Sequence, residues 1–143
     1  MDFSKINIIN SNSKHMKIYS IANQTFEKIK FELSEIKTPF GIEQYANMKY
    51  INWEMNDNMV ELLELVDNSF KNEINKLYSK YNTWTWKSAI KKSDSYNTLL
   101  RTKLNVDNAE LNVLNNIIII IDSIWLDNKS KTYGILWLTS IIN

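Results

Sequence analysis

Residues 117–142 read IIIIIDSIWLDNKSKTYGILWLTSII. Ile117 to Ile124 is a nearly continuous β-branched run, the composition of a strand buried on both faces. Asp127-Asn128-Lys129-Ser130-Lys131 is polar throughout and reads as a turn. Tyr133 to Ile142 then returns as the closing strand. Trp125 and Trp137 flank the turn and suggest an aromatic ladder on adjacent strands. Gly134, beside Tyr133, marks a bulge or a close backbone approach. The C-terminal fifth of the chain is therefore sheet.

Working back from this pair, the same period of two recurs. Thr83-Trp84-Thr85-Trp86-Lys87-Ser88-Ala89-Ile90-Lys91 alternates and is rich in strand formers. Ser93-Asp94-Ser95 reads as a turn, and Tyr96 to Leu104 as a partner strand. Asn105 to Asn116 is polar and has no clear period. Near the other end, Thr25 to Lys37 alternates Phe26, Ile29, Phe31 and Leu33 with charged residues, so it is read as a half-buried strand. Thr38-Pro39-Phe40-Gly41 is a turn, because Pro fixes φ and Gly permits positive φ. Tyr45 to Met55 is read as a second strand, antiparallel to the first. Residues 1–24 are Asn- and Ser-rich and are read as a loosely ordered lead-in with one short strand near Lys17 to Ile21.

One segment breaks the pattern. Asn56-Asp57-Asn58 is a helix start, and Met59, Leu62, Leu63, Val66, Phe70, Ile74, Leu77, Tyr78 and Tyr81 follow at gaps mostly of three and four. Glu61, Glu64 and Asp67 come early and Lys76 and Lys80 late, in the sense favoured by the helix dipole. The spacing predicts one amphipathic helix over about residues 57–79. The fold class is thus β-rich α+β, with a single domain over 25–143.

Composition narrows the chemistry. The chain has 143 residues, 44% hydrophobic and 23% charged, which suits one globular domain. There is no cysteine, so disulfides, thiolate nucleophiles and Cys-based zinc sites are excluded, and His15 is the lone histidine. No cofactor is expected. No apolar run approaches the ~20 residues of a membrane-spanning helix. There is no secretory signal pattern, so a cytoplasmic or viral-factory location is expected. Asn, Ile and Lys dominate while Arg101 is the only arginine, as in an AT-rich genome. Net charge is only +1, so any nucleic-acid site must come from local segregation of charge.

Such segregation occurs between Trp84 and Lys103. Lys87, Lys91, Lys92, Arg101 and Lys103 face only Asp94 there, and Trp84, Trp86 and Tyr96 are interleaved with them. Cations track phosphates and flat rings stack on unpaired bases, each stack worth about 1–3 kcal/mol. These eight residues, Asp94 excepted, are the candidate single-strand-binding set. On a strand, Trp84 and Trp86 share one face and Lys87 and Lys91 the other, so a twist or bulge is needed to bring both to one groove. The alternatives are core packing for the tryptophans and a solvated face for the lysines. Catalysis has little support. No nucleophile elbow, P-loop or dinucleotide fingerprint is present. Glu35-Ile36-Lys37 echoes the E-x-K of some nucleases without an upstream Asp, and Asp122 and Asp127 are read as strand-end and turn residues. An enzyme is not expected.

The order Thr38-Pro39-Phe40-Gly41-Ile42-Glu43, helix, Trp86-Lys87-Ser88-Ala89-Ile90, Leu99-Leu100-Arg101-Thr102-Lys103, then Trp125 with Tyr133-Gly134-Ile135-Leu136-Trp137 resembles the single-stranded-DNA-binding proteins of nucleocytoplasmic large DNA viruses, distantly similar to podophage replication proteins. It covers residues 26–142 through short motifs. The resemblance implies a five-stranded OB-type barrel with a packed helix, acting in viral DNA replication, recombination or repair, with Trp86, Lys87, Arg101 and Lys103 as contacts to single-stranded DNA (or RNA). Such proteins often end in an acidic tail; this chain ends Thr139-Ser140-Ile141-Ile142-Asn143, so recruitment through such a tail is not expected. The rival reading is a viral structural or protein-interaction subunit, for instance a homodimer, using an apolar exposed patch instead of a basic one.

Overall fold

The computed structural model describes residues 6–10, 16–21, 30–105 and 110–143, the first two segments as backbone alone. Phe26 and Ile29 of the expected first strand lie outside the described residues. Strands β1 (Ile6–Asn10) and β2 (Met16–Ile21) occupy part of the N-terminal segment and pair antiparallel. They are followed by β3 (Lys30–Ile36), β4 (Ile42–Tyr45), β5 (Met48–Glu54), α1 (Asp57–Leu77), β6 (Thr85–Trp86), β7 (Ile90–Lys91), β8 (Leu99–Leu104), β9 (Asn115–Asp127) and β10 (Thr132–Ile141). The strands belong to one mixed sheet, ordered β1-β2-β9-β10-β8-β5-β4, with β3 added to β9, β6 to β10 and β7 to β8. The chain is therefore β-rich with one α-helix among its described residues.

The β9–β10 pair forms the middle of this sheet. Its turn is held by Asp127, whose Oδ1 accepts from the backbone N–H of Lys129 (2.9 Å) and Ser130 (3.4 Å). The isoleucine run is not buried on both faces: Ile117, Ile119 and Ile121 are fully buried, while Ile118 and Ile120 are partly exposed. All five are isoleucine, so composition hid the alternation. At Leu136/Trp137 the register shifts and the β9 partners step from Ser123 to Ile121. This bulge reverses the inward parity, and Ile124 and Leu126 become the buried apolar positions beyond it. One strand thereby serves two neighbours, β3 along residues 115–120 and β2 along 123–127.

The bulge also corrects the aromatic ladder. Trp125 lies opposite Gly134, and Trp137 lies opposite Ile121 and is buried. Gly134 is instead a close approach: a Cβ there would stand 2.3 Å from the Lys87 carbonyl oxygen and 3.1 Å from the Trp125 indole.

Two other expectations change. Tyr45 to Met55 is not one strand paired with the first. Ala46-Asn47 form a two-residue turn, with Ala46 at φ 52, and β4 and β5 are a hairpin. β3 pairs with β9, and just past its end the Lys37 carbonyl accepts from Glu54 N–H of β5 (2.8 Å). The long strand expected over Thr83 to Lys91 is two short ones. A 3-10 turn, Ser79–Thr83, precedes β6, which joins β10, while β7 joins β8.

Helix α1 begins as its sequence requires. The Asn56 side chain accepts from Met59 N–H (2.9 Å), a standard N-cap. Val60, Leu63, Val66, Phe70 and Ile74 form the buried stripe. The helix stops at Leu77, two residues before the expected end, because Tyr78 leaves helical φ (−134°). Opposite the stripe lie the inward residues Ile51, Trp53, Leu100, Ile135 and Trp137. Within this apolar layer three strands share one polar chain. Trp53 Nε1 donates to Thr139 Oγ1 (3.0 Å), Thr139 to Thr102, and Thr102 to the Ile51 carbonyl (3.2 Å). Each buried donor in it has an acceptor.

Candidate nucleic-acid interface

The register of β4, β5 and β8 sets which side chains share the outer face. In an antiparallel ladder, directly opposed residues point the same way. Glu43 opposes Tyr50, Tyr45 opposes Met48, Tyr50 opposes Lys103, and Asn52 opposes Arg101. Ile51, Trp53, Leu100 and Thr102 take the other parity and enter the core. The outer face therefore carries Glu43, Tyr45, Met48, Tyr50, Asn52, Arg101 and Lys103.

Arg101 is its centre. The guanidinium lies over the Tyr50 ring at 4.4 Å and near the Tyr45 ring at 5.3 Å, both cation–π distances. Its NH1 is 3.5 Å from Glu43 Oε2. Tyr45 and Tyr50 meet edge to face, with centroids 6.2 Å apart. Tyr45 is 56% exposed, so one aromatic face remains open to solvent. At the other end of the hairpin, Phe40 and Tyr96, both exposed, form a second edge-to-face pair at 5.7 Å. β7 continues the surface: Lys91 opposes Leu99, so by register it shares the side of Arg101 and Lys103.

The remaining sequence candidates go elsewhere. Trp84 packs edge-on to Tyr81 (4.8 Å) with Lys131 Nζ 5.0 Å above its ring. Trp86 is edge-on to Tyr133 (5.0 Å), and its Nε1 donates to Asp67 Oδ2 (2.8 Å) on α1. Both tryptophans pack against the core cluster. Lys92 is paired with Glu64 of α1 (2.5 Å). Lys87 is exposed, and its backbone N–H is tied to the Tyr133 carbonyl (2.7 Å). The predicted set thus divides: Lys91, Arg101 and Lys103 join the β4–β5–β8 face, Tyr96 flanks it, and Trp84, Trp86 and Lys92 belong to the helix side. Sequence reasoning missed Tyr45, Tyr50, Glu43 and Asn52. The alternation of Tyr50 with Ile51 was a usable signal, but nothing local said that β5 lies beside β8.

The helix side holds a cavity of about 530 Å³ lined by Glu64, Asp67, Asn68, Trp86, Ser88, Ile90 and Lys92. Asp67 is 6% exposed, and its Oδ1 has no hydrogen-bond partner of good geometry although Ser88 lies beside the carboxylate. Burial pushes its carboxyl above the usual value, outweighing Trp86, Ser88 and Lys71, which favour the charged form; Glu64 adds to the rise. Among the described residues no three His, Cys, Asp or Glu side chains converge as metal ligands. No helix is long and apolar enough to cross a membrane, among the same residues. No protein-family model matches this chain, and no curated protein or solved structure matches it either.

Proposed function

We propose that the chain binds single-stranded nucleic acid, DNA first, across the outer face of β4, β5 and β8. The observation that carries this reading is Arg101 seated on two tyrosine rings with Lys103 beside it on an open sheet face. Arginine and aromatic rings together are the chemistry of sequence-tolerant strand binding: charge follows the phosphates and rings receive the bases. The arrangement of strands agrees with an OB-like barrel formed by β3, β5, β8, β9 and β10. In that order the residue after the first strand, Lys37, accepts from Glu54 at the end of the second, the second and third are antiparallel, and the third runs parallel to the fifth. The fifth pairs with the fourth and the fourth with the first, both antiparallel. In OB folds the face of strands two and three and the loop between strands one and two receive oligonucleotides. Here those are β5, β8 and the segment containing β4. A place in viral replication, recombination or repair rests on the resemblance alone.

The test is fluorescence anisotropy of a labelled oligo-dT titrated with protein at several salt concentrations. Arg101, Lys103 and Lys91 supply about three phosphate contacts, so log K against log salt should fall with a slope of about −2, at about −0.7 per contact for single strands. The Arg101→Ala/Lys103→Ala double variant should bind at least tenfold more weakly and flatten that slope by about 1.4. No saturable binding by the folded wild-type protein at low salt would reject the reading and favour a protein-interaction subunit.

A further inference from the structure

The carboxylate of Glu43 is surrounded by donors. Asn52 Nδ2 donates to Oε1 (3.1 Å), the Tyr45 hydroxyl to Oε2 (3.3 Å), and Arg101 NH1 approaches Oε2 at 3.5 Å. Three strands contribute: Tyr45 from β4, Asn52 from β5 and Arg101 from β8. Three convergent donors, one of them a guanidinium, are the chemistry of an anion site. Its present occupant is the chain's own carboxylate.

Several features make that occupant replaceable. Glu43 comes from β4, the end strand of the sheet path, and its side chain is 29% exposed. The Arg101 contact is a single, long one, while a guanidinium has five N–H donors and fits a phosphate in a two-pronged fashion. Asn52 is the fixed member. It is 4% exposed, so packing leaves its side chain little room to turn. The Arg101 guanidinium is likewise held in place by the tyrosine rings beneath it. Asn52 and Arg101 are thus in place before any ligand arrives, and the carboxylate is the member that a phosphate would replace.

We propose that Tyr45, Asn52 and Arg101 form a subsite for one backbone phosphate, and that Glu43 caps it in the free protein and swings out when a strand binds. This rests on the nucleic-acid reading above. It makes Glu43 a residue that weakens binding, although it sits at the centre of the interface. Binding of each strand must break the Glu43–Arg101 pair, and the displaced carboxylate stays near a phosphate of the same sign.

The test compares wild type, Glu43→Gln and Glu61→Gln against labelled oligo-dT. Glu61 is exposed on α1, and its replacement changes net charge equally. Glu43→Gln should tighten binding about three- to tenfold, the range expected when a partly exposed ion pair and a like-charge contact are removed. Glu61→Gln should leave the affinity within about twofold. Adding Tyr45→Phe to Glu43→Gln removes one donor while keeping the ring, and should take back part of the gain. Oligo-dT binding by wild type that is unchanged or weakened in a folded Glu43→Gln would overturn the subsite while leaving the nucleic-acid reading intact. Equal tightening by Glu61→Gln would overturn it too, because net charge alone would then explain the effect. No binding by wild type and by Glu43→Gln would reject both.

Discussion

Replacing Gly134 with alanine tests whether the sheet depends on one close contact. The new methyl would lie 2.3 Å from the Lys87 carbonyl oxygen, where ordinary contact begins at 3.4 Å. The two backbones must therefore separate by about 1.1 Å. The obstacle is a main-chain atom, so no side-chain rotation relieves it. On the same side the Trp125 indole, at 3.1 Å, must also move. Separation strains the adjacent bonds from Lys87 N–H to the Tyr133 carbonyl (2.7 Å) and from Thr85 N–H to the Lys131 carbonyl (2.9 Å). Overpacking of this kind costs about 1–3 kcal/mol, and a weakened buried hydrogen bond adds about 1. The lower entropy of the unfolded alanine chain returns about 0.4–1 kcal/mol. The net expectation is a loss of about 2–3 kcal/mol. For a chain of this size that lowers Tm by roughly 5–10 °C. Urea denaturation followed by far-UV circular dichroism measures it, with the slope held as the control for two-state behaviour. A loss below about 0.5 kcal/mol would mean that β6 and the Lys87 loop are not pressed against β10, and the placement of Trp86 would fall with it.

Two further outcomes follow from buried polar groups. Burial raises the Asp67 carboxyl, so between the ordinary carboxylate value and its folded value the folded protein holds a proton that the unfolded chain releases. This group's contribution therefore falls as pH rises through that window, and its full cost is present above it. Asp67→Asn keeps an acceptor for Trp86 Nε1. The variant should gain stability over wild type as pH is raised from about 4 towards 7, measured as the difference in urea midpoints; a difference independent of pH would refute the assignment. Thr139→Val keeps shape but leaves Trp53 Nε1 without its acceptor, while Thr102 keeps its bond to the Ile51 carbonyl, at a cost of about 1–3 kcal/mol for one buried polar group. A double variant with Trp53→Phe should cost clearly less than the sum of the single changes, because the two residues share one chain of bonds.

The sequence read well wherever the signal was local. Gaps of three and four residues and the Asn56 cap mark α1 without knowledge of its neighbours, and Asp127 to Lys131 mark the turn between β9 and β10. Strand partners were harder. Tyr45 and Tyr50 meet Arg101 because β5 lies beside β8, a pairing that spans the whole helix and leaves no trace in either strand. The Ala46-Asn47 turn lacks the Asn-Gly or Gly-first signature of a tight hairpin, so β4 and β5 looked continuous. Arg101 and Lys103 stand out in the sequence because charge is visible there. The role of Trp86 was open because Asp67 looks like an ordinary polar helix residue until the fold turns it inward.

The bulge in β9 gives this molecule an uneven tolerance to changes of length. Before it the buried apolar residues are odd-numbered; after it they are even-numbered. Removing Asp122 would close the bulge into a regular ladder with both halves facing as they do, whereas removing Trp125 would make the inward residues Ile124 and Leu126 immediate neighbours. Neighbours on a strand point to opposite faces, so either Ile124 or Leu126 would then turn away from the core. A residue gained or lost between Asn128 and Ser130 changes only the turn and leaves both faces as they are. Two sites less than ten residues apart on one hairpin thus stand at opposite ends of the range: at one the chain can vary in length, and at the other it is counted to the residue.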